Sequence, residues 1–286
     1  MSDNATTPPR SGRLDGWVDA LRVYLEPATA RMLFLGFSAG LPLLLVLGTL
    51  SFRLREAGID RTTIGYLSWV GLAYGFKWAW APLVDRMPLP FLTRWFGRRR
   101  AWLLLSQGVI AAGLVGMALS DPRLQLQAVV LCALVVAFGS ATQDIALDAF
   151  RIESADVQRQ AALAAAYQTG YRLAMIWAGA GVLWVAARAE VAAVDGYQHG
   201  AWQAAYLVMA ASMGVGLLTV LLSPEPLHRI LPPARNAAAW LREAVVAPVA
   251  EFVRRYRWQA ALLLALIAVY RISDVVMGIM ANPFYV

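Results

Sequence analysis

Apolar residues in this chain run in long blocks, separated by short polar segments rich in arginine. Crossing a bilayer as a helix takes about 20 apolar residues. Seven blocks approach that length: Met32–Leu50, Ile64–Leu83, Ala101–Leu119, Leu126–Phe150, Ala161–Ala187, Trp202–Leu222 and Trp258–Met280. Two other stretches show helical spacing instead of continuous apolarity. Leu14, Trp17, Val18, Leu21 and Leu25 share one face, as do Trp240, Leu241, Val245, Val249, Phe252, Val253 and Tyr256, with arginines between. Both read as helices lying on a membrane surface; the first reads equally as a helix capping the bundle. Residues 1–13 are polar, include Pro8 and Pro9, and are expected to be disordered. The pattern predicts an all-α polytopic membrane protein. Residues 1–31 form a tail with an amphipathic helix, 32–223 a six-helix bundle, 224–257 a central loop and 258–286 a seventh helix. Span 1 is interrupted by Gly36, Gly40, Pro42 and Gly48. Glycines allow close helix approach and a proline marks a kink, so either packing or gating accounts for them.

Composition supports the membrane reading. Charged residues are 15% and hydrophobic residues 59% of the chain, against about 25% charge in an ordinary soluble domain. Mean hydropathy is +0.55 and the pI is 9.9. Such a pI invites a nucleic-acid partner, but the arginines sit in short loops between spans, which is a signature of membrane orientation. Loop and tail cations total seventeen on the side of the N-terminus and the central loop, against five on the other side: Arg53, Arg55, Arg61, Arg123 and Arg188. The excess predicts a cytoplasmic N-terminus. A cleaved signal peptide is not expected, because residues 1–30 are polar and the first apolar block is long enough to remain as a span. Cys132 is the single cysteine, so neither an internal disulfide nor a zinc site is expected.

The candidate chemistry lies in charges placed inside apolar blocks. Asp144 and Asp148 are four residues apart in span 4, with Arg151 following, and all three share one helix face. A charge in hydrocarbon costs a few kcal/mol or more and normally has a partner. Lys77, in span 2, is the only lysine among 25 basic residues. Its compact ammonium is either paired there or snorkels to the interface. Span 5 carries Gln168, Tyr171 and Arg172, and span 7 carries Arg271 and Asp274. From the helical rise, Asp144 lies ~9 Å and Lys77 ~6 Å from their span midpoints toward the same side. Arg172 lies within ~3 Å of the midplane and is expected to reach toward Asp144. Lys77, Arg172 and Arg271 balance Asp144, Asp148 and Asp274. The set reads either as structural ion pairs fixing helix register, or as a polar path in which a carboxylate exchanges its cation partner for a proton. Gln143, Gln168 and Tyr171 add uncharged hydrogen-bonding groups beside these charges, as a sugar or peptide ligand requires.

Signs of catalysis are missing from the sequence. His199 and His228 both fall in loops, no G-x-x-x-x-G-K-[ST] phosphate loop is present, and no nucleophile–base constellation stands out. An enzyme is not expected, nor is a cofactor or a metal.

Several segments resemble the muropeptide permeases (AmpG type) of the major facilitator superfamily. They are G-F-S-A-G-L-P at Gly36–Pro42, G-L-A-Y-G-F-K-W-A-W-A-P-L-V-D-R at Gly71–Arg86, and F-G-R-R-R-A-W-L-L at Phe96–Leu104. The match continues with F-G-S-A-T-Q-D-I-A-L-D-A-F at Phe138–Phe150, Y-Q-T-G-Y-R-L-A-M at Tyr167–Met175 and V-Y-R-I-S-D at Val269–Asp274. The loop bearing Asp85, Arg86, Gly97, Arg98, Arg99 and Arg100 is also similar to the general facilitator motif between spans 2 and 3, a gating loop. The resemblance implies a proton-driven, multi-pass importer in the bacterial inner membrane. Its cargo would be anhydromuropeptides from peptidoglycan turnover, moved from periplasm to cytoplasm and linked in some bacteria to β-lactamase induction. Asp144 and Asp148 would couple protons, while Lys77, Gln143, Gln168, Tyr171, Arg172, Arg271 and Asp274 would contact an anionic substrate. The same branch is similar to acetyl-CoA transporters, so another anionic solute stays open. A non-transporting remnant is a further alternative, because facilitators have two six-helix halves. This sequence supplies one half, the central loop and one further helix, so a truncated chain is expected.

Overall fold

The computed structural model describes residues 24–191, 196–226, 242, 246–267 and 269. They form helices and no strand, and divide into two compact units, residues 1–228 and 229–286. The expected helix over 14–25 lies outside the described residues except for Tyr24 and Leu25. So do Arg271, Asp274, His228 and span 7 beyond residue 269.

Five helices of the first unit are long and apolar enough to cross a membrane: α1 (Pro27–Glu56), α6 (Arg98–Leu119), α7 (Pro122–Glu153), α8 (Val157–Ala189) and α9 (His199–Leu222). They correspond to spans 1, 3, 4, 5 and 6, each extended outward by polar turns that hydropathy alone does not count. Span 2 departs from the expectation of one continuous helix. It is broken into α2 (Arg61–Leu67), α3 (Leu72–Phe76) and α4 (Ala81–Arg86), joined through tighter turns at Ser68–Gly71 and Lys77–Ala79. The cause is local: Gly71 and Gly75 lower helix propensity, and Pro82 has no N–H to donate to Trp78 and crowds its carbonyl. Asp60 caps α2, accepting the Thr63 N–H at 2.9 Å and the Thr63 hydroxyl. Those two bonds hold the Asp60 carboxyl below its ordinary range. A short helix, α5 (Leu92–Phe96), precedes α6.

In this unit α1 packs along α8 and α9, α6 along α7 and α9, and the pieces of span 2 lie along α7. The α1–α8 seam is built on glycine. A Cβ at Gly36 would overlap the Tyr167 carbonyl, one at Gly40 the Tyr171 carbonyl, and one at Gly170 the Leu33 carbonyl. Backbone therefore meets backbone, which a side chain at any of the three would prevent. Gly36 and Gly40 of span 1 are thus accounted for by packing, whereas a Cβ at Gly48 would meet only Leu44 of its own helix. Above the seam both helices widen into π turns, Leu45–Thr49 and Trp177–Gly181, tied by the Thr49 hydroxyl donating to the Ala178 carbonyl at 2.8 Å. Pro42 lies just before the first of these and leaves the Ser38 carbonyl without its helical donor.

The core forms two apolar clusters along the bundle. One contains Leu35, Leu103 and Leu147, the other Leu41, Ile110 and Val136. Ser38, Gln107 and Gln143 fall between those levels on α1, α6 and α7, and each is at most 1% exposed. Both amide nitrogens donate to Ser38 Oγ, from Gln107 at 3.2 Å and from Gln143 at 2.9 Å, while Ser38 donates to the Leu35 carbonyl. A Cβ at Gly216 of α9 would strike the Ser38 side chain, so four helices converge on this node.

In the second unit the described helices are α10 (Ala247–Tyr256) and α11 (Trp258–Ile267), separated by Arg257, which adopts φ +46°. α10 falls within the stretch expected to form a surface helix.

Candidate functional site

The turn that breaks span 2 presents Lys77 to α7, where its Nζ lies 3.4 Å from Asp144 Oδ2. The side chains are 38% and 21% exposed, so the pair is neither sealed in the core nor fully solvated. Three residues on, the Trp80 indole N–H donates to Thr142 Oγ1 at 3.1 Å, and the Trp80 ring lies 5.3 Å from that of Phe138. The turn is thereby pinned to α7 at Lys77 and again at Trp80. The rings of Tyr167 and Tyr171 of α8 lie 6.0 Å apart at a tilt of 47°, and both residues are half-buried.

Other residues singled out from the sequence are placed differently. Asp148 has a 59% exposed side chain and pairs with Arg151 at 3.6 Å, one turn along its own helix. Gln143 belongs to the sealed node with Ser38 and Gln107, not to an open polar path. Gln168 is exposed. Arg172 does not reach Asp144: it is exposed, and its Nη1 contacts Met175 Sδ at 3.9 Å. The glycine seam explains this. It turns Tyr167, Gly170, Tyr171 and Ala174 toward α1, and the next position round the helix from Tyr171 faces away.

The arginine loop assembles as a clamp between helix ends. Arg99, with 4% of its side chain exposed, grips Glu153 bidentately (Nε–Oε2 2.9 Å, Nη2–Oε1 2.6 Å) and Asp85 Oδ1 at 2.7 Å. Arg98 approaches Glu153 at 4.0 Å. Glu225, just past α9, accepts the backbone N–H groups of Arg99 at 2.8 Å and Arg100 at 3.0 Å, capping α6. Arg100 reciprocates, donating to the Val220 and Leu221 carbonyls at the end of α9. Gly97 adopts φ +85°, and a Cβ there would strike the Glu225 carboxylate. Arg86 closes α4 beside Asp85.

Sequence reading missed Glu153, Glu225, Ser38 and Gln107, and counted Arg53 as a loop cation. Arg53 is fully buried at the opposite end of the bundle. Its guanidinium donates to the Met117 and Ser120 carbonyls at 2.6 and 2.8 Å, closing the end of α6, and lies 5.2 Å over the Tyr206 ring. Gln107 was the one detectable signal, an amide in a block whose other residues, Ser106 apart, are apolar.

Helices of this length and apolarity, holding a partly screened lysine–carboxylate pair, mark a multi-pass α-helical membrane protein. Comparison with known proteins narrows it. The chain is 39% identical over 254 residues to the anhydromuropeptide permease of Escherichia coli K12, covering 89% of this chain and 48% of that protein. It is 30% identical over 266 residues to a transporter named AmpG 4 in Rickettsia felis, covering 93% of this chain and 61% of that protein. Residues 30–123 match the family model described as acetyl-coenzyme A transporter 1. Over most of its own length the chain is homologous to the AmpG-type muropeptide permeases. It spans about half the length of the Escherichia coli relative.

Proposed function

We propose that this protein takes part in importing anhydromuropeptides across the bacterial inner membrane, driven by protons, with its N-terminus in the cytoplasm and no catalytic step of its own. The observation that carries the reading is the Lys77–Asp144 pair at 3.4 Å, with both side chains partly exposed. An ionised Asp144 holds the ammonium. A proton arriving on Asp144 removes that attraction and frees Lys77 for an anionic group of the cargo. Loss of the proton toward the cytoplasm restores the pair and displaces the cargo. Asp148, Gln168, Tyr171 and Arg172 supply further polar contacts, and the Arg99–Asp85–Glu153 clamp gates the cytoplasmic side. The arginine excess on that side supports the orientation.

The matched family model favours a second reading, in which the cargo is an acetyl-CoA-like anion. Uptake by vesicles containing the protein separates the two. Labelled anhydromuropeptide should accumulate saturably and be lost on adding an uncoupler, with unlabelled acetyl-CoA failing to compete. Competition by acetyl-CoA without muropeptide accumulation supports the second reading, and accumulation of neither solute overturns both.

A further inference from the structure

The second unit carries a feature the transport reading does not use. α10 is amphipathic: Phe252, Val253 and Tyr256 gather on one side, and Glu251 and Arg254 lie on the other. The Phe252 and Tyr256 rings meet at 5.1 Å, while Val253 and Tyr256 are 49% and 38% exposed. Arg255 sits at the edge of the apolar side, where its stem can lie along the boundary while its guanidinium reaches out. The helix then stops at Arg257, whose N–H closes onto the Val253 carbonyl at 2.7 Å in a positive-φ turn.

The helix beyond the turn sets the level of α10. α11 begins at Trp258 and beyond Gln259 is apolar on every side, with Leu262, Leu264, Leu266 and Ile267 all more than half exposed. A helix of that kind belongs in hydrocarbon, and a tryptophan at its start belongs at the interface. A chain that leaves hydrocarbon at Trp258 and bends at once has its preceding helix at headgroup level. There α10 and the turn that ends it present three arginines, Arg254, Arg255 and Arg257, against the single acid Glu251.

We propose that α10 lies flat on the bilayer and recognises anionic phospholipid. Arg255 and Arg257 engage headgroup phosphates, Arg254 on the water side adds to the positive field close to the surface, and Phe252, Val253 and Tyr256 enter the hydrocarbon boundary. This anchor fixes the level at which α11 enters the membrane, whatever solute the protein carries. Its charge matches an anionic leaflet, and a surface made only of zwitterionic lipid leaves the arginines without their partner.

The test uses the full chain in vesicles of phosphatidylcholine with or without phosphatidylglycerol. Spin labels are placed one at a time at Ala250, Glu251, Phe252, Val253 and Tyr256, in a Cys132→Ser background. Accessibility to oxygen and to a water-soluble nickel chelate is then compared. With phosphatidylglycerol, positions 252, 253 and 256 should favour oxygen, and 250 and 251 the chelate. That contrast should collapse in phosphatidylcholine alone. Each of Arg254→Gln, Arg255→Gln and Arg257→Gln should lower the surface-bound ratio about fivefold, whereas the lysine variants should keep the contrast. Labels shielded from both probes would show that protein covers the helix. A contrast indifferent to lipid charge and to the glutamine variants would mean apolar insertion alone. Chelate exposure at every position would mean no docking. Each of these three results overturns the proposal.

Discussion

The α1–α8 seam yields the sharpest stability prediction, because its geometry leaves so little room. Replacing Gly170 by alanine drives a methyl group into the Leu33 carbonyl and the Phe37 amide, and both are backbone atoms that no rotamer change can move. Gly40→Ala meets the Tyr171 carbonyl and, at 2.9 Å, the Ala174 methyl. The helices must separate along the seam. Overpacking of this kind costs about 1–3 kcal/mol, and rigid neighbours put each variant toward the upper end. Gly36 and Gly170 lie at adjacent levels of the same contact, so a separation that admits one methyl admits part of the second. The double variant Gly36→Ala/Gly170→Ala should therefore cost less than the sum of the singles, by about 0.5–3 kcal/mol. Gly108 is the internal control: a Cβ there has nothing within 4 Å. Gly108→Ala should be neutral, or stabilising by up to about 1 kcal/mol through helix propensity. Reversible unfolding in mixed micelles, tracked by tryptophan fluorescence and circular dichroism, measures all of these variants. If Gly170→Ala unfolds no more readily than Gly108→Ala, the close seam is not present and the explanation given for Arg172's direction fails with it.

Other contacts give three further expected outcomes. Ser38→Ala should cost about 1–3 kcal/mol in the same unfolding assay, because it strands two buried amides that now share one hydroxyl; an unchanged midpoint would mean the node holds nothing. Arg53→Lys should cost about 1–3 kcal/mol, since an ammonium cannot span two carbonyls in a fixed fork while stacking on Tyr206, and hydrogen exchange should rise at Gly116–Ser120; protection equal to the parent would contradict the assignment. Glu225→Ala should cost about 0.5–2 kcal/mol as a lost helix cap and should make Gly97→Ala less damaging than it is in the parent, because the methyl no longer meets a carboxylate; equal damage in both backgrounds would place the constraint in the backbone alone.

Hydropathy makes the five continuous spans legible, because crossing oil demands uninterrupted apolar length and little else satisfies that demand. The same signal cannot show where such a length is broken. Gly71, Gly75 and Pro82 were visible, yet Ile64–Leu83 reads as one helix until its carbonyls are traced individually. Depth was legible along the chain and azimuth was not. Asp144 and Lys77 were placed on the same side of the midplane, and they meet. Arg172 was placed at a compatible height, but its direction is set by which face of α8 the glycines pull against α1, a tertiary fact. Arg53 shows the converse. An arginine near the end of a span reads as a loop cation, and only the carbonyls at the end of α6 and the ring of Tyr206 reveal that it is an internal fastening. Glu225 sits between two prolines that announce the end of a helix, and nothing local says that its carboxylate caps a different one.

The central claim is that Asp144 trades Lys77 for a proton. Uptake of labelled anhydromuropeptide into vesicles under an imposed pH gradient tests it most directly, with the parent and Asp144→Asn compared at equal reconstitution. The account predicts that the variant loses gradient-driven accumulation while still exchanging labelled for unlabelled solute when no gradient is present. Accumulation at the parental rate by Asp144→Asn would contradict it.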